Sequence, residues 1–432
     1  LLNKLVSCCR SSGLLVFLYL CVNQTNKIMR KLVILSTLML HNTASFAQTK
    51  DTVNLNEVQI SIRHSDKDPI SLTHINADST KTLFTGQDPF YIMNRYVPGI
   101  YSQSDNGIGL GYCYMHLRGF DQTRIAYSLN DIPLNENEDQ GIYFSNMPGF
   151  FNNISSIDVE RGVGINKSGT TAVAGSVNMQ TRSMLDTQMN FSYGHGSYNT
   201  SATTLGYTSG RLSNNMAFGL QGSYSSTDGF KHNSGSNGGN IFGQVGYFGK
   251  TNILKVYGFF GVSRNQMAYG TPTDSMISAD YRVNTNLPSE QDRFQQSFIA
   301  ANWVNFKSSK LTFNTSIYSN SVIGNYSVML DTLYQFGVGS HQMGAMSNAV
   351  YHKDNLTLNV GVNYNYYQRM HTNYLTSDIA LDYQNYRDYG YVKSYYFQGL
   401  RSENESGKMP FILPVVELHK EFINKENVYL VD

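Results

Sequence analysis

A strict two-residue alternation in the C-terminal half constrains the fold of this chain more than any other feature. Between positions 356 and 366 the sequence reads Leu-Thr-Leu-Asn-Val-Gly-Val-Asn-Tyr-Asn-Tyr. A strand with this sequence has one apolar face and one polar face that carries no charge. That division is typical of a strand with lipid on one side and a water-filled lumen on the other. Because only helices and closed barrels can span lipid, the pattern predicts a transmembrane antiparallel β-barrel.

The amino-acid composition agrees with a membrane barrel. Charged residues make up 15% of the 432 residues, below the roughly 25% of soluble domains. The aromatic residues are 31 Tyr and 23 Phe with a single Trp, which fits aromatic girdles at membrane interfaces. A secreted all-β protein with a Tyr-rich surface is the alternative. The net charge is +1 and no basic stripe is present, so a nucleic-acid partner is not expected.

The N-terminal region has the features of a secretion signal. Met29-Arg30-Lys31 precedes an apolar run at 32–40 and the small residues Ser45 and Ala47, as in a cleaved signal peptide. The apolar run is too short to span a bilayer as a helix. The sequence therefore predicts a non-native upstream extension at 1–28, a signal peptide at 29–47 and a mature N-terminus at Gln48.

A compact α+β domain is predicted at residues 66–182. Asp88-Pro89-Phe90 predicts the start of a helix, with Pro in its first turn, and Pro98-Gly99 predicts its end. A turn is expected at Asn130-Asp131. Strands are predicted at 114–117, 124–129, 154–160 and 177–181.

Five short motifs follow one another across this domain. They are Val97-Pro98-Gly99-Ile100, Leu117-Arg118-Gly119-Phe120, Asn130-Asp131-Ile132-Pro133-Leu134, Ile157-Asp158-Val159-Glu160-Arg161-Gly162 and Ala174-Gly175-Ser176-Val177-Asn178. In this order, after a signal peptide and before Tyr-rich strands, they resemble the plug domain of TonB-dependent outer-membrane receptors. The resemblance covers roughly residues 55–400. It implies a mainly β fold with an N-terminal α+β plug at 66–182 and a partial transmembrane barrel at 183–432.

An alternating segment precedes the plug, within residues 48–65. From the residues alone, it is equally the first strand of the next domain or a free strand that pairs with the sheet edge of a partner. The resemblance implies the second, a TonB box in the periplasm. Its partner is then TonB with the inner-membrane energising complex. The box-like residues are Leu55, Asn56, Glu57, Val58, Gln59 and Ile60.

Two plug arginines acquire a role through the same resemblance. Arg118 and Arg161 match arginines that, in relatives, pair with glutamates on the inner barrel wall and lock the plug. A guanidinium offers a planar fork to a carboxylate, and an unpaired buried charge is costly. Pairing inside the plug is the alternative, with Asp121, Asp131, Asp158 or Glu160 as partners.

The barrel region contains predicted strands separated by alternating short and long connections. Long loops are expected at 265–293, 324–340 and 370–393, and the segment 411–432 lacks alternation. Plugged transporters have about 22 strands, which require at least ~400 residues. We therefore expect a fragment or truncated product with nine to eleven strands. The nine assigned strands are near 187–195, 197–208, 214–226, 240–249, 252–264, 294–306, 310–323, 341–352 and 355–369.

The resemblance implies energised uptake of a scarce solute across the outer membrane of a Gram-negative cell. The implied cargo is a ferric siderophore or a related metal chelate, bound by outer loops and the plug apex. One alternative is an outer-membrane binding or adhesin-type barrel without energised transport. Another is a non-functional truncated receptor fragment. A surface enzyme is disfavoured because neither GxSxG nor HExxH occurs. The sequence predicts no catalytic residue, metal site or cofactor, and it assigns no ligand-binding residue.

Overall fold

The structure is a computed structural model of the chain. It describes residues 71–80, 86–136, 139–162, 173–329, 333–353, 356–375, 410–421 and 427–431. The predicted signal peptide, the mature start at Gln48 and the box-like residues 55–60 lie outside the described residues.

The described residues of the plug form one helix and two small sheets. The helix α1 is Pro89–Tyr96, and short 3-10 turns lie at Ala77–Thr80, Gln122–Arg124, Phe144–Asn146 and Phe150–Asn153. The strands are β1 (Ser71–Asn76), β2 (Ile100–Ser104), β3 (Cys113–Leu117), β4 (Phe120–Asp121), β5 (Ile125–Leu129), β6 (Ile132–Pro133), β7 (Ile154–Arg161) and β8 (Gly175–Thr181). One sheet has the order β1-β7-β8-β5-β6 and the other β2-β3-β4. Only β5 and β8 are parallel among these described pairs.

Local sequence explains helix α1 and the tight turn between β5 and β6. The Asp88 carboxylate accepts a hydrogen bond from the Phe90 backbone N–H at 2.9 Å, which satisfies a free donor of the first turn. The helix ends before Pro98 as predicted. Asn130 and Asp131 have φ values of 50° and 67°, the left-handed pair that a tight type I′ hairpin requires between β5 and β6. The predicted helix, turn and four strands of the plug are thus present.

In the part of the chain that the structure describes, eleven antiparallel strands form the barrel wall, in sequence order from β9 to β19. This number agrees with the expected nine to eleven, and the mainly β fold class is confirmed. Between β13 and β14 lies a short helix α2 (Asp274–Ala279). The strands are β9 (Thr187–Gly196), β10 (Thr200–Ser209), β11 (Met216–Thr227), β12 (Ser236–Phe248), β13 (Asn252–Gln266), β14 (Gln291–Phe306), β15 (Leu311–Met329), β16 (Leu333–Lys353), β17 (Leu356–Leu375), β18 (Pro410–Glu421) and β19 (Asn427–Val431).

Two loop expectations about the wall are wrong in part. The loop expected at 370–393 begins later, because β17 continues to Leu375. The loop expected at 324–340 is largely strand, because β15 continues to Met329 and β16 begins at Leu333. Aromatic residues hold this extension together: the rings of Tyr326 and Phe336 stack at 5.2 Å across the two strands. The segment 411–432, which lacks alternation, contributes strands β18 and β19. Backbone pairing with β17 specifies β18 where the side-chain pattern does not.

The inner face of the wall and the plug share one hydrophobic core. Phe150 of the plug contacts Phe259 of β13 at 5.2 Å between ring centroids, and Phe259 stacks on Phe298 of β14 at 5.6 Å. On the opposite face, Ile299 and Ile317 are 58% exposed, as expected for lipid-facing positions. No helix in the described ranges has the length and apolarity to cross a membrane.

Candidate functional site

A cavity of about 500 Å³ lies between the plug and the barrel wall. Its wall residues come from β14, β15 and β16, and from Met267 and Tyr269 in the connection that follows β13. The plug contributes a cluster of tyrosines and carboxylates. The principal lining residues are Asp105, Tyr112, Tyr114, Glu136, Asp139, Tyr143, Tyr269 and Tyr326.

Two plug loops carry the polar side chains of the cavity. The loop between β2 and β3 is closed by a backbone hydrogen bond from Asp105 N–H to Tyr112 O at 3.1 Å. The loop after β6 is closed by a bond from Glu136 N–H to Gly141 O at 2.8 Å. Buried Asn135 anchors this second loop, because its side-chain oxygen accepts from the Tyr127 N–H at 2.6 Å. The second loop is therefore held against the plug core, and the first is closed by its own backbone.

Each carboxylate of the cavity accepts a hydrogen bond from a tyrosine hydroxyl. Tyr114 donates to Asp105 at 3.2 Å, and Tyr143 donates to Asp139. Tyr367, from strand β17 of the wall, donates to Glu136 at 3.2 Å. The last bond joins the acidic plug loop directly to the barrel.

Burial shapes the protonation of these groups. Burial raises the pKa of Asp105, while the Tyr114 hydrogen bond and the nearby Lys231 ammonium counteract the rise. Burial also raises the pKa of Tyr114 and Tyr143, and their carboxylate partners raise it further. The tyrosines therefore keep their protons and remain donors. Among the described lining residues there is no Lys or Arg.

The aromatic rings of the cavity present both faces and edges. Tyr112 stacks on Tyr114 at 6.3 Å and meets Tyr143 edge-on at 5.9 Å. Tyr269 is 51% exposed at the rim. Such surfaces accept apolar groups, rings and cations. Within the described residues, no three His, Cys, Asp or Glu side chains converge to hold a metal ion.

Hydrogen bonds between uncharged groups attach the plug to the inner face of the barrel wall. Ser223 of β11 donates to Pro148 O at 2.7 Å, and Asn152 donates to Thr204 Oγ1 of β10 at 3.0 Å. Gly261 of β13 permits a still closer approach, since a Cβ there would lie 2.1 Å from the Asn146 carbonyl oxygen. The plug backbone thus lies directly against the inner wall.

Arg118 and Arg161 lie together at the end of the β2–β3 hairpin that is remote from the cavity. The Arg118 N–H donates to Gly99 O at 2.8 Å, and Arg161 donates to Pro98 O at 3.4 Å. The fold thus brings the separate Pro-Gly and Arg-Gly motifs to one place. Among the described residues no carboxylate pairs with either guanidinium, whether in the plug or on the wall. Their locking role remains a prediction.

Sequence reasoning did not assign the cavity residues. A local signal exists, because Asn135-Glu136-Asn137-Glu138-Asp139-Gln140 concentrates acids in one loop and Tyr112 and Tyr114 flank Cys113. The sequence does not show which distant residues come together in the fold. Tyr367 and Glu136, for example, are hydrogen-bonded but 231 positions apart.

Comparisons with known proteins identify the plug. Residues 65–176 match the TonB-dependent Receptor Plug Domain family. No curated protein matches the chain. An α+β domain seated on an antiparallel barrel wall defines a plugged β-barrel, and residues 65–176 are a TonB-dependent receptor plug domain. The resemblance inferred from the five motifs is therefore confirmed.

Solved structures with the same fold are TonB-dependent receptors at low sequence identity. The ferric yersiniabactin uptake receptor FyuA of Yersinia pestis has a TM-score of 0.62 and 10% identity over 82% of this chain and 54% of its own. The ferripyoverdine receptor of Pseudomonas aeruginosa has a TM-score of 0.62 and 11% identity over 84% and 51%. The copper transporter OprC has a TM-score of 0.60 and 14% identity over 81% and 52%. The chain spans about half the length of these structures, which share its fold.

Proposed function

We propose that this protein is a TonB-dependent outer-membrane receptor for active uptake of a ferric siderophore or related metal chelate. One observation carries the proposal: a TonB-receptor plug domain sits on the barrel wall below a cavity of about 500 Å³. A volume of this size is within the range of small-molecule sites. The fold neighbours whose names mention ferric yersiniabactin, ferripyoverdine and copper support the cargo class.

The proposed cycle begins with cargo in the cavity, which faces the cell exterior because long barrel loops are extracellular. The box-like residues 55–60 then pair with TonB, and the inner-membrane complex supplies the force that displaces the plug. The signal peptide at 29–47 directs export, and outer-membrane lipid surrounds the wall. No step uses a catalytic residue.

The cavity chemistry narrows the cargo further. Asp105, Glu136 and Asp139 give the plug side of the cavity an acidic character, and carboxylates repel a polyanionic chelate. The tyrosine faces attract cationic or ring-bearing groups. We therefore propose a cargo whose plug-facing side is neutral or positively charged.

Two measurements test this function. Growth and uptake under iron limitation, with and without TonB, separate energised transport from passive binding. Uptake that is independent of TonB contradicts the proposal.

The charge of the cargo is tested by comparing binding of a cationic ferric trihydroxamate with binding of an anionic ferric catecholate. Asp105→Asn with Asp139→Asn is expected to weaken binding of the cationic chelate about tenfold. Asp274→Asn in exposed helix α2 is the matched control.

A further inference from the structure

Two arginines stand directly opposite each other on the outward face of the barrel wall. Arg264 of β13 and Arg293 of β14 are register partners, and both side chains are exposed. Within the described part of the chain, neither guanidinium forms an ion pair or a side-chain hydrogen bond. Like charges directly opposite in an antiparallel sheet repel each other. The pair is therefore stabilised by any anion that binds between the two side chains.

The flanking positions of the same row are amides. Asn237 of β12 is the register partner of Arg264, and Asn325 of β15 is the partner of Arg293. The row across these four strands thus contains hydrogen-bond donors and no carboxylate. Phosphate oxygens accept from several donors at once, and guanidinium groups bind them in a bidentate manner. The chemistry of the row matches a phosphate group.

The row lies at the edge of the apolar outward face. One step closer to the short turns, Val262 and Ile323 are 40% and 51% exposed and flank Gln295 of β14. Leu254 and Phe260 continue the apolar face along β13. The ten residue steps from Leu254 to Arg264 rise about 25 Å along the barrel axis, at ~3.4 Å per residue and a tilt of about 40°. That distance equals the height of the apolar band of outer-membrane barrels. The arginines therefore lie at the boundary between hydrocarbon and headgroups, at the end with the longer connection.

We propose that Arg264 and Arg293 bind the phosphate group of an outer-leaflet lipid whose acyl chains lie along the apolar face beside Val262 and Ile323. Basic side chains at a membrane surface attract anionic headgroups. A bound lipid is stabilised both by its phosphate at the two arginines and by its acyl chains on the apolar face below them. Free phosphate has only the interaction with the arginines. This proposal rests on the outer-membrane placement proposed above and is independent of the cargo.

The test uses protein extracted from outer membranes in mild detergent and freed of lipid. Native mass spectrometry measures binding of bisphosphorylated lipid A, of the same glycolipid without phosphates, and of inorganic phosphate. The unmodified protein should prefer the phosphorylated lipid at least about tenfold. Arg264→Gln with Arg293→Gln should abolish the preference. Arg264→Lys with Arg293→Lys should retain part of it, because an ammonium lacks the planar fork.

A matched control removes two positive charges from the opposite rim. Lys250 and Lys310 are exposed in the connections that follow β12 and β14, so Lys250→Gln with Lys310→Gln should leave the preference intact. An unchanged preference in the double Arg→Gln variant overturns the proposal. Equal affinity for inorganic phosphate also overturns it, since the site would then bind free anions. Recovery in the outer-membrane fraction is scored separately and reports on membrane placement alone.

Discussion

Gly149 of the plug and Ser223 of the barrel wall approach each other so closely that no side chain fits between them. A Cβ built on Gly149 would lie 2.5 Å from the Ser223 Cβ. Gly149 also has a φ of 72°, in the left-handed region. The Ser223 hydroxyl donates to the adjacent Pro148 carbonyl at 2.7 Å. The contact depends on the absence of a side chain at position 149.

Gly149→Ala is expected to loosen the plug from the wall. The left-handed conformation costs an alanine about 1–2 kcal/mol, and overpacking against Ser223 adds ~1–3 kcal/mol. Gly119→Ala is the matched control, because Gly119 has a φ of 87° and nothing lies within 4 Å of its Cβ position. Protease protection of the plug measures the effect. Equal protection in the two variants would show that the contact with Ser223 contributes nothing.

Asp88 makes plug stability depend on pH. Burial raises the pKa of Asp88 from 3.8 to about 7, against the lowering effect of its bond to Phe90 N–H. The folded state therefore holds the proton more tightly than the unfolded state. The resulting stabilisation is complete below pH 3.8 and is lost as pH rises through about 7.

Asp88→Asn is expected to remove this dependence, because Asn also caps a helix N-terminus but carries no charge. The free energy of unfolding of the original protein should fall by on the order of 2–3 kcal/mol between pH 5 and pH 8. That of the variant should fall by less, and the difference between the two pH profiles gives the contribution of Asp88. Asp121→Asn is the control: it also caps a turn, but its pKa is lowered by Thr123. Parallel pH profiles for the original protein and Asp88→Asn would rule out the buried carboxyl as the cause.

Much of the fold was predictable because its signals are local. The Asp88 cap, the Pro98 stop and the left-handed Asn130-Asp131 turn each act within a few residues, and all three were found where the sequence placed them. The sequence pattern does not predict that β15 and β16 extend into the segment 324–340. This extension depends on a ring contact across strands, between Tyr326 and Phe336, which a single-strand pattern does not contain.

The candidate site was less predictable than the fold. Its polar residues come from two plug loops and from wall strands that the chain reaches more than a hundred positions later, as with Glu136 and Tyr367. Sequence spacing carries no information about such contacts. Arg118 and Arg161 were identified by resemblance, and the fold places them beside each other at the other end of the plug.

Export provides a test of the N-terminal assignment. If Met29 starts translation and cleavage follows Ala47, the intact mass and the first peptide of the mature protein should correspond to Gln48. Ala47→Leu should block cleavage, because the site requires a small residue. Met147→Leu, deep in the plug core, should leave processing unchanged. A secreted protein that retains residues 1–28 would contradict the assignment.

Coupling to TonB should depend on an intermolecular strand at 55–60. Val58→Pro removes a backbone N–H from that strand, so uptake should cease while cargo still binds at the cell surface. Lys50→Pro, outside the box-like stretch, should transport normally. Normal uptake by Val58→Pro would assign these residues to an ordinary plug strand.

The proposed lock can be tested at Arg118 and Arg161 in the receptor expressed from its own gene. If wall glutamates pair with them, Arg118→Gln or Arg161→Gln leaves a carboxylate without its partner, which costs about 3–5 kcal/mol when the pair is buried. The plug should then become sensitive to protease and the membrane more permeable to small solutes.

Arg95→Gln is the control. Arg95 lies on the exposed side of helix α1, so this substitution removes the same charge without touching the Pro98-Gly99 turn. The Nε of Arg161 is buried without a hydrogen-bond partner among the described residues, so we expect Arg161→Gln to have the larger effect. If both variants behave like Arg95→Gln, the two arginines do not hold the plug.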